Sequence, residues 1–304
     1  MAANSVPASN YIIAILVFII ISIPSSSAIV IDARENWDGP YEVSGGRTLL
    51  VEELSATWCP SCTEIDPYLT EVADSHGSRI SIVTYHPSDD LDAFQPEASQ
   101  HRIDRLKSTH PEIGSTPSFI VDGGKMRVGP ESWPDVQKDI LTKEVNNPRP
   151  SIIKFDIQKV DGQIQASVID FQNRGNGENI SQLTFILAQH SLSVPEEAVN
   201  PGGDTRDRVV TAVAECNLQN NTIGYSNGFS NVSIKNNSCQ SGFSVILNQD
   251  VSKFSLVLIH ERIHENLSTQ DSSVNTYGVV EFSYRDIEVS DSWNNLRLNF
   301  FKTN

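Results

Sequence analysis

The chain is short of positive charge. Its 304 residues carry 22 lysines and arginines against 38 aspartates and glutamates, a formal charge of −16. The deficit is shared, with 21 acids and 11 bases in residues 32–150 and 17 and 11 in residues 151–304. A surface this anionic repels phosphate backbones and argues against nucleic acid as a partner. Internal repeats are absent, so a solenoid is excluded. Cysteine is limited to four residues, and they do not form two closely spaced pairs: Cys59 and Cys62 stand three apart, while Cys216 and Cys239 stand far from both and from each other. A structural zinc site usually takes four Cys or His ligands in two such pairs, so no metal is expected.

Charge is also missing from the N-terminus, where the first 31 residues have no charged side chain. Within them Tyr11–Ile23, "YIIAILVFIIISI", is a 13-residue apolar run followed by Pro24 and three serines. That length suits a signal peptide better than a full membrane span of about 20 residues. Ser26 and Ala28 fit the small-x-small cleavage rule, giving residues 1–28 as a signal peptide. An uncleaved anchor over 11–31 is the alternative. Both place the remainder outside the cytoplasm, secreted or held to a membrane by its N-terminus. Five N-x-S/T sequons, at Asn179, Asn220, Asn231, Asn236 and Asn266, agree with export and mark candidate glycosylation sites. In an oxidising compartment a Cys216–Cys239 bridge would contribute about 3 to 4 kcal/mol by the chain-entropy account.

What the chain does have is a change of period near its middle. "TLLVEELSA" (48–56) and "RISIVTYH" (79–86) read as buried strands. Helical spacing follows Pro60 through Ile65, Leu69 and Val72. Residues 94–109 read as a polar helix, "SFIVDGGKMRVG" (118–129) as strand, turn and strand, and 132–145 as a closing helix capped by Ser132. Alternating strands and helices predict an α/β domain over 33–146. "NNPRPS" punctuates the chain, giving a linker at 147–151. Beyond it about seven period-two segments, from "SIIKFDIQKV" to "YGVVEFSYRDIEV", predict an all-β, Ig-like sandwich over 152–304.

The chemistry centres on "ELSATWCPSCTEIDPYL". Cys59 falls where a strand gives way to a helix, so its sulfur meets unsatisfied N–H groups and the positive end of the dipole, which favours the thiolate. Cys62, one turn on, is placed to resolve a mixed disulfide. A static structural bridge is the competing reading.

This segment resembles the thioredoxin superfamily. Trp58 before the first cysteine and Pro67 five residues after the second are typical of it. "GSTPSFIVDGGK" (114–125) supplies Thr116–Pro117 where that family has a cis-proline loop facing the disulfide. The resemblance implies that Thr116 and Pro117, with Trp58, receive an extended substrate. It also implies that Glu53 is the buried acid that shuttles protons beneath the cysteines. The activity implied is thiol–disulfide exchange with protein thiols or disulfides, without a cofactor but with room for a membrane electron-transfer partner. The succession "EELSATWC", "YHPSDD", an added helix and a β-sandwich is also similar to the outer-membrane-protein-related surface family. An exchange role requires the Cys59 sulfur to be ionised and reachable. A surface-binding protein with an inert scaffold is the alternative.

"HERIH" (260–264) matches the H-E-x-x-H zinc signature, with Glu281 a conceivable third ligand. That chemistry needs a helix. In a strand the two histidines lie about 13 Å apart, so the segment is read as an exposed strand face. His86 is read as a loop histidine ahead of Pro87, and Trp37 and Trp293 as packing residues.

Overall fold

The computed structural model describes residues 28–37, 39–111, 113–146, 151–173, 181–263 and 276–287. The apolar run at 11–23, the segment 147–150, Asn179, His264, Asn266 and Trp293 lie outside them. Among the described residues no helix is long and apolar enough to cross a membrane.

The first half runs β1 (Ala28–Asp32), β2 (Tyr41–Gly45), β3 (Leu49–Leu54), α1 (Pro60–His76), β4 (Ile80–Tyr85), α2 (Glu97–Thr109), β5 (Ser118–Val121), β6 (Met126–Val128) and α3 (Trp133–Val145). The second is built of strands: β7 (Ser151–Val160), β8 (Gln163–Asn173), β9 (Ser181–Gln189), β10 (Leu192–Ser193), β11 (Thr205–Arg206) and β12 (Val209–Asn217). After these come β13 (Thr222–Asn227), β14 (Asn231–Ile234), β15 (Phe243–Ile246), β16 (Phe254–Arg262) and β17 (Thr276–Arg285).

Local chemistry accounts for most boundaries. Helix α1 starts at Pro60, whose missing N–H costs nothing at the first helical position, and buries Ile65, Leu69 and Val72 along one face. It ends at Gly77, whose φ of 56° is a left-handed conformation that glycine adopts without a Cβ penalty. Ser132 does not cap α3 as expected; its hydroxyl donates to the Gly129 carbonyl at 2.8 Å. Strand β7 alternates buried and half-buried positions, the pattern of a sheet with one wet face. Strands β3, β4 and β9 are buried at almost every position, because both of their faces are covered.

The protein is a mixed α/β structure, with one curled mixed sheet carrying the helices and a separate antiparallel sheet. The large sheet has the order β1-β17-β16-β9-β12-β4-β3-β5-β6, with β13 added on β12; the second is β14-β15-β8-β7-β2. The segments read as two modules therefore share strands. Val209 of β12 registers with Thr84 of β4, and the Thr84 amide donates to the Arg208 carbonyl at 2.9 Å. Strand β2 pairs with β7, and β1 lies parallel to β17. Neither β1 nor β2 is legible as a strand in the sequence: "AIVID" reads as the tail of the apolar leader and "YEVSG" is too short.

Three apolar cores follow. Phe155, Phe185, Phe243, Phe254 and Phe282 fill the space between the antiparallel sheet and β9, β12, β16 and β17, with Trp37 packed at its margin. The other face of those strands contributes Ile186, Val213 and Val257 to a core shared with Leu50, Tyr85 and Ile103 under α2. The opposite side of β3–β5 packs Val51 and Phe119 on α1 and α3 through Leu69, Trp133 and Ile140.

Candidate functional site

Cys59 is the N-cap residue of α1, and its sulfur accepts from the Cys62 amide at 3.2 Å. The two cysteines are joined as a disulfide with Cα atoms 5.3 Å apart. The first-turn N–H groups thus face the sulfur that would carry charge after reduction. The Thr116–Pro117 peptide bond is cis. Register of β3 with β5, Leu54 opposite Ser118, brings this loop to the sheet edge from which the cysteines emerge. A groove of about 420 Å³ opens there, lined among others by Leu54, Trp58, Pro87, Ile103, Lys107 and Thr116.

Access differs from the requirement set out from the sequence. Cys59 is 2 % exposed and Cys62 1 % in this oxidised state. Trp58 packs against both, and its indole N–H donates to Asp89 Oδ2 at 2.9 Å. That bond fixes the ring against the cluster of Ala56, Cys59 and Cys62.

On β3, the strand that leads into the cysteines, Glu53 is 1 % exposed. Thr84 donates to its Oε2 at 3.0 Å, while Oε1 has no protein partner among the described residues. Burial, reinforced by the nearby Asp66 charge, pushes this carboxyl up to about 8. A cavity of about 80 Å³ adjoins it, with Asp66, His86, Arg206 and Arg208 in its wall. His86 is not a plain loop residue. It is fully buried, its Nδ1 lies 2.7 Å from Asp92 Oδ2, and its Nε2 has no protein partner among the described residues.

Glu52 points to the opposite face, as alternation along β3 demands. There it meets Arg102 at 2.8 Å and the Tyr85 hydroxyl at 2.8 Å. Arg102 also donates to Glu261 at 2.9 and 3.1 Å. Arg105 lies 2.9 Å from Glu215 and 3.0 Å from Glu261, and His101 lies 3.2 Å from Glu215. This buried charge cluster corrects the reading of "HERIH". His260, Glu261 and Arg262 end strand β16, but the positions are interior, with His260 1 % and Glu261 4 % exposed. Glu261 is the counter-ion of two arginines from α2. His260 Nδ1 lies 2.5 Å from Ser151 Oγ, and burial pushes its pKa down to about 3, so it is neutral at physiological pH.

Cys216 and Cys239 form the second disulfide, fully buried in the phenylalanine-rich core with Cα atoms 5.9 Å apart. Asn220, Asn231 and Asn236 are exposed. Sequence reasoning missed Asp66, Asp89, Arg206 and Arg208. Asp66 had a local signal, standing four residues after Cys62 on the same helix face. The two arginines had none, since only the joining of β12 to β4 brings them here.

No protein-family model matches the chain, and no curated protein matches it in sequence. Among solved structures, HBP35 of Porphyromonas gingivalis superposes with a TM-score of 0.55 at 12% identity, covering 81% of this chain and 78% of that one. Protein AGR_C_4864 of Agrobacterium tumefaciens gives 0.48 at 12% identity, covering 81% and 98%. At this identity the first likeness is one of fold.

Proposed function

We propose that the protein is an extracytoplasmic thiol–disulfide oxidoreductase. In this reading a thioredoxin-like unit over 33–146 is carried by a β-sandwich over 152–304, secreted or tethered by its N-terminal segment. The observation that carries the proposal is the Cys59–Cys62 disulfide seated on the first turn of α1, with a buried acid on the strand that leads into it. After reduction, the Cys59 thiolate attacks one sulfur of a substrate disulfide and releases the other as a thiolate. Cys62 then displaces the reduced substrate and leaves the Cys59–Cys62 bond, so two electrons pass from the pair to the substrate. The groove between Trp58 and Thr116 suits an extended chain that pairs with the backbone before Pro117. Run in reverse, the same pair oxidises protein thiols.

The test is the Cys62→Ala variant of the full chain. Exchange predicts mixed disulfides trapped on Cys59 and released by reductant. Absence of trapped partners, together with a wild-type pair that resists dithiothreitol, would refute the reading. One observation favours the alternative of a surface-binding protein with an inert scaffold, namely the 2 % exposure of Cys59. That reading predicts slow alkylation of the reduced protein at every pH.

A further inference from the structure

Cys62 and Asp66 lie one turn apart on the same face of α1. Asp66 lines a cavity that Glu53 reaches from β3 and Thr84 from β4, with His86, locked to Asp92, also in its wall. The remaining wall is Thr205–Arg208, contributed by the second half of the chain. This wall is built rather than loose. The Arg206 side chain donates to Asn200 Oδ1 at 2.6 Å and to the Gly203 carbonyl at 2.8 Å, and its Nε stands 3.8 Å from Asp66 Oδ2. Arg208 reaches Thr70 Oγ1, one turn beyond Asp66, at 3.3 Å. Asp207 also lines the cavity; its carboxylate accepts from the Ser191 amide at 2.7 Å and lies 3.7 Å from His190.

The two acids differ in access. Glu53 is 1 % exposed, whereas the Asp66 side chain is 36% exposed. A cavity of about 80 Å³ between them has room for water. Two buried atoms beside it, Glu53 Oε1 and His86 Nε2, have no protein partner among the described residues.

We propose that Asp66, steadied by Arg206, is the outward proton port for Glu53, so that the 205–208 wall positions the acid relay serving Cys62. The inference rests on the exchange reading above. In the mixed disulfide, the Cys62 thiol gives its proton to the Glu53 carboxylate. The Cys62 thiolate attacks Cys59 Sγ, the Cys59–Cys62 bond forms, and the Cys59–substrate bond breaks. The substrate sulfur leaves as a thiolate and is protonated by solvent. Glu53 passes its proton through the cavity to Asp66 and out. Asp66 touches neither cysteine sulfur in this scheme; it is a positioning residue that acts through Glu53. The electrostatics agree. Burial and then Asp66 raise Glu53, against the Thr84 hydrogen bond and the Arg208 charge; burial, with a smaller push from Asp207, raises Asp66, against Arg206, His86 and Arg208.

The experiment follows reduced full-length protein reacting with oxidised glutathione between pH 5 and 9, in a format that separates attack by Cys59 from resolution by Cys62. Asp66→Asn should slow resolution about tenfold and move its upper ionisation down by about one unit, because a negative neighbour is removed. Attack by Cys59 should be unchanged, and Asp66→Glu should restore the wild-type profile. Arg206→Gln should move the ionisation upward. Asp66→Asn resolution that overlays wild type overturns the port while leaving exchange intact. Should the wild type fail to exchange at all, the exchange reading fails first. Carbon-13 NMR of the Glu53 carboxyl in the oxidised protein then decides the linkage, and an unchanged midpoint in Asp66→Asn overturns it.

Discussion

Replacing Arg102 by methionine removes the central cation of the buried cluster without changing the volume much. The arginine is 1 % exposed and reaches Glu52, Glu261 and the Tyr85 hydroxyl. Its partners fare differently. Glu261 keeps Arg105 at 3.0 Å, Thr184 at 2.5 Å and Gln182 at 3.2 Å. Among the described residues Glu52 keeps only the Tyr85 hydroxyl, at 2.8 Å. Most of the loss therefore sits on one uncompensated buried carboxylate, and breaking such a pair costs about 3 to 5 kcal/mol. That is a large share of a total stability of roughly 5 to 15 kcal/mol. The assay is urea unfolding at pH 7 with both disulfides intact, where the midpoint should fall by about 1 to 2 M at unchanged slope. Adding Glu52→Gln to Arg102→Met removes the stranded charge and should recover about half of the loss. The pH dependence has a definite sign. Burial opposes the charge on Glu215, but the His101 hydrogen bond and the Arg105 charge hold it down at about 2; Glu261 is likewise lowered by Arg102 and Arg105 against burial. A depressed carboxylate stabilises above its unfolded value and loses that contribution as pH falls through its folded one. Wild type should therefore weaken from about pH 4.5 towards 2, and Arg102→Met should weaken less over that window. A single-variant loss under about 1 kcal/mol, or a double variant no better than the single, would refute the reasoning.

Two further outcomes follow from the site itself. Glu53 binds its proton more tightly folded than unfolded, so its contribution is full below 4.5 and disappears as pH rises towards about 8, at roughly 1.4 kcal/mol per unit. Glu53→Gln should flatten that slope and raise stability at pH 7.5 while slowing resolution by Cys62; unfolding curves that keep the wild-type slope would count against a protonated Glu53. Asp89→Ala releases the Trp58 indole from a charge-assisted hydrogen bond, and reduction of Cys59–Cys62 by dithiothreitol should quicken about tenfold. An unaltered rate would mean that Trp58 does not limit access.

Much of the site was legible because it is local. A strand ending in "TWCPSC", with proline opening the helix, puts Cys59 on helix N–H groups whatever else the chain does. The cis Thr116–Pro117 bond and the strand, turn and strand behind it stand where the resemblance places them. The burial of Glu53 also agrees with a strand covered on both faces. The misreadings share one cause. "HERIH" looks solvent-facing because His260, Glu261 and Arg262 are polar, and nothing nearby in sequence announces Arg102, 159 positions earlier. His86 does stand in the loop after β4, but nothing local announces its burial, because Asp92 and the cavity gather around it only after folding.

Short-range spacing thus assigns the longer strands, the helices and the cysteine pair, though not β1 or β2, since backbone hydrogen bonds and alternating burial act over a few residues. The merging of the halves into one sheet answers to a different constraint. Val209 meets Thr84, and Arg208 reaches the cavity beside Glu53 and Asp66, only when the apolar faces of the two halves are closed against each other. That closure depends on the free energy of the whole packing, which no local stretch of residues records.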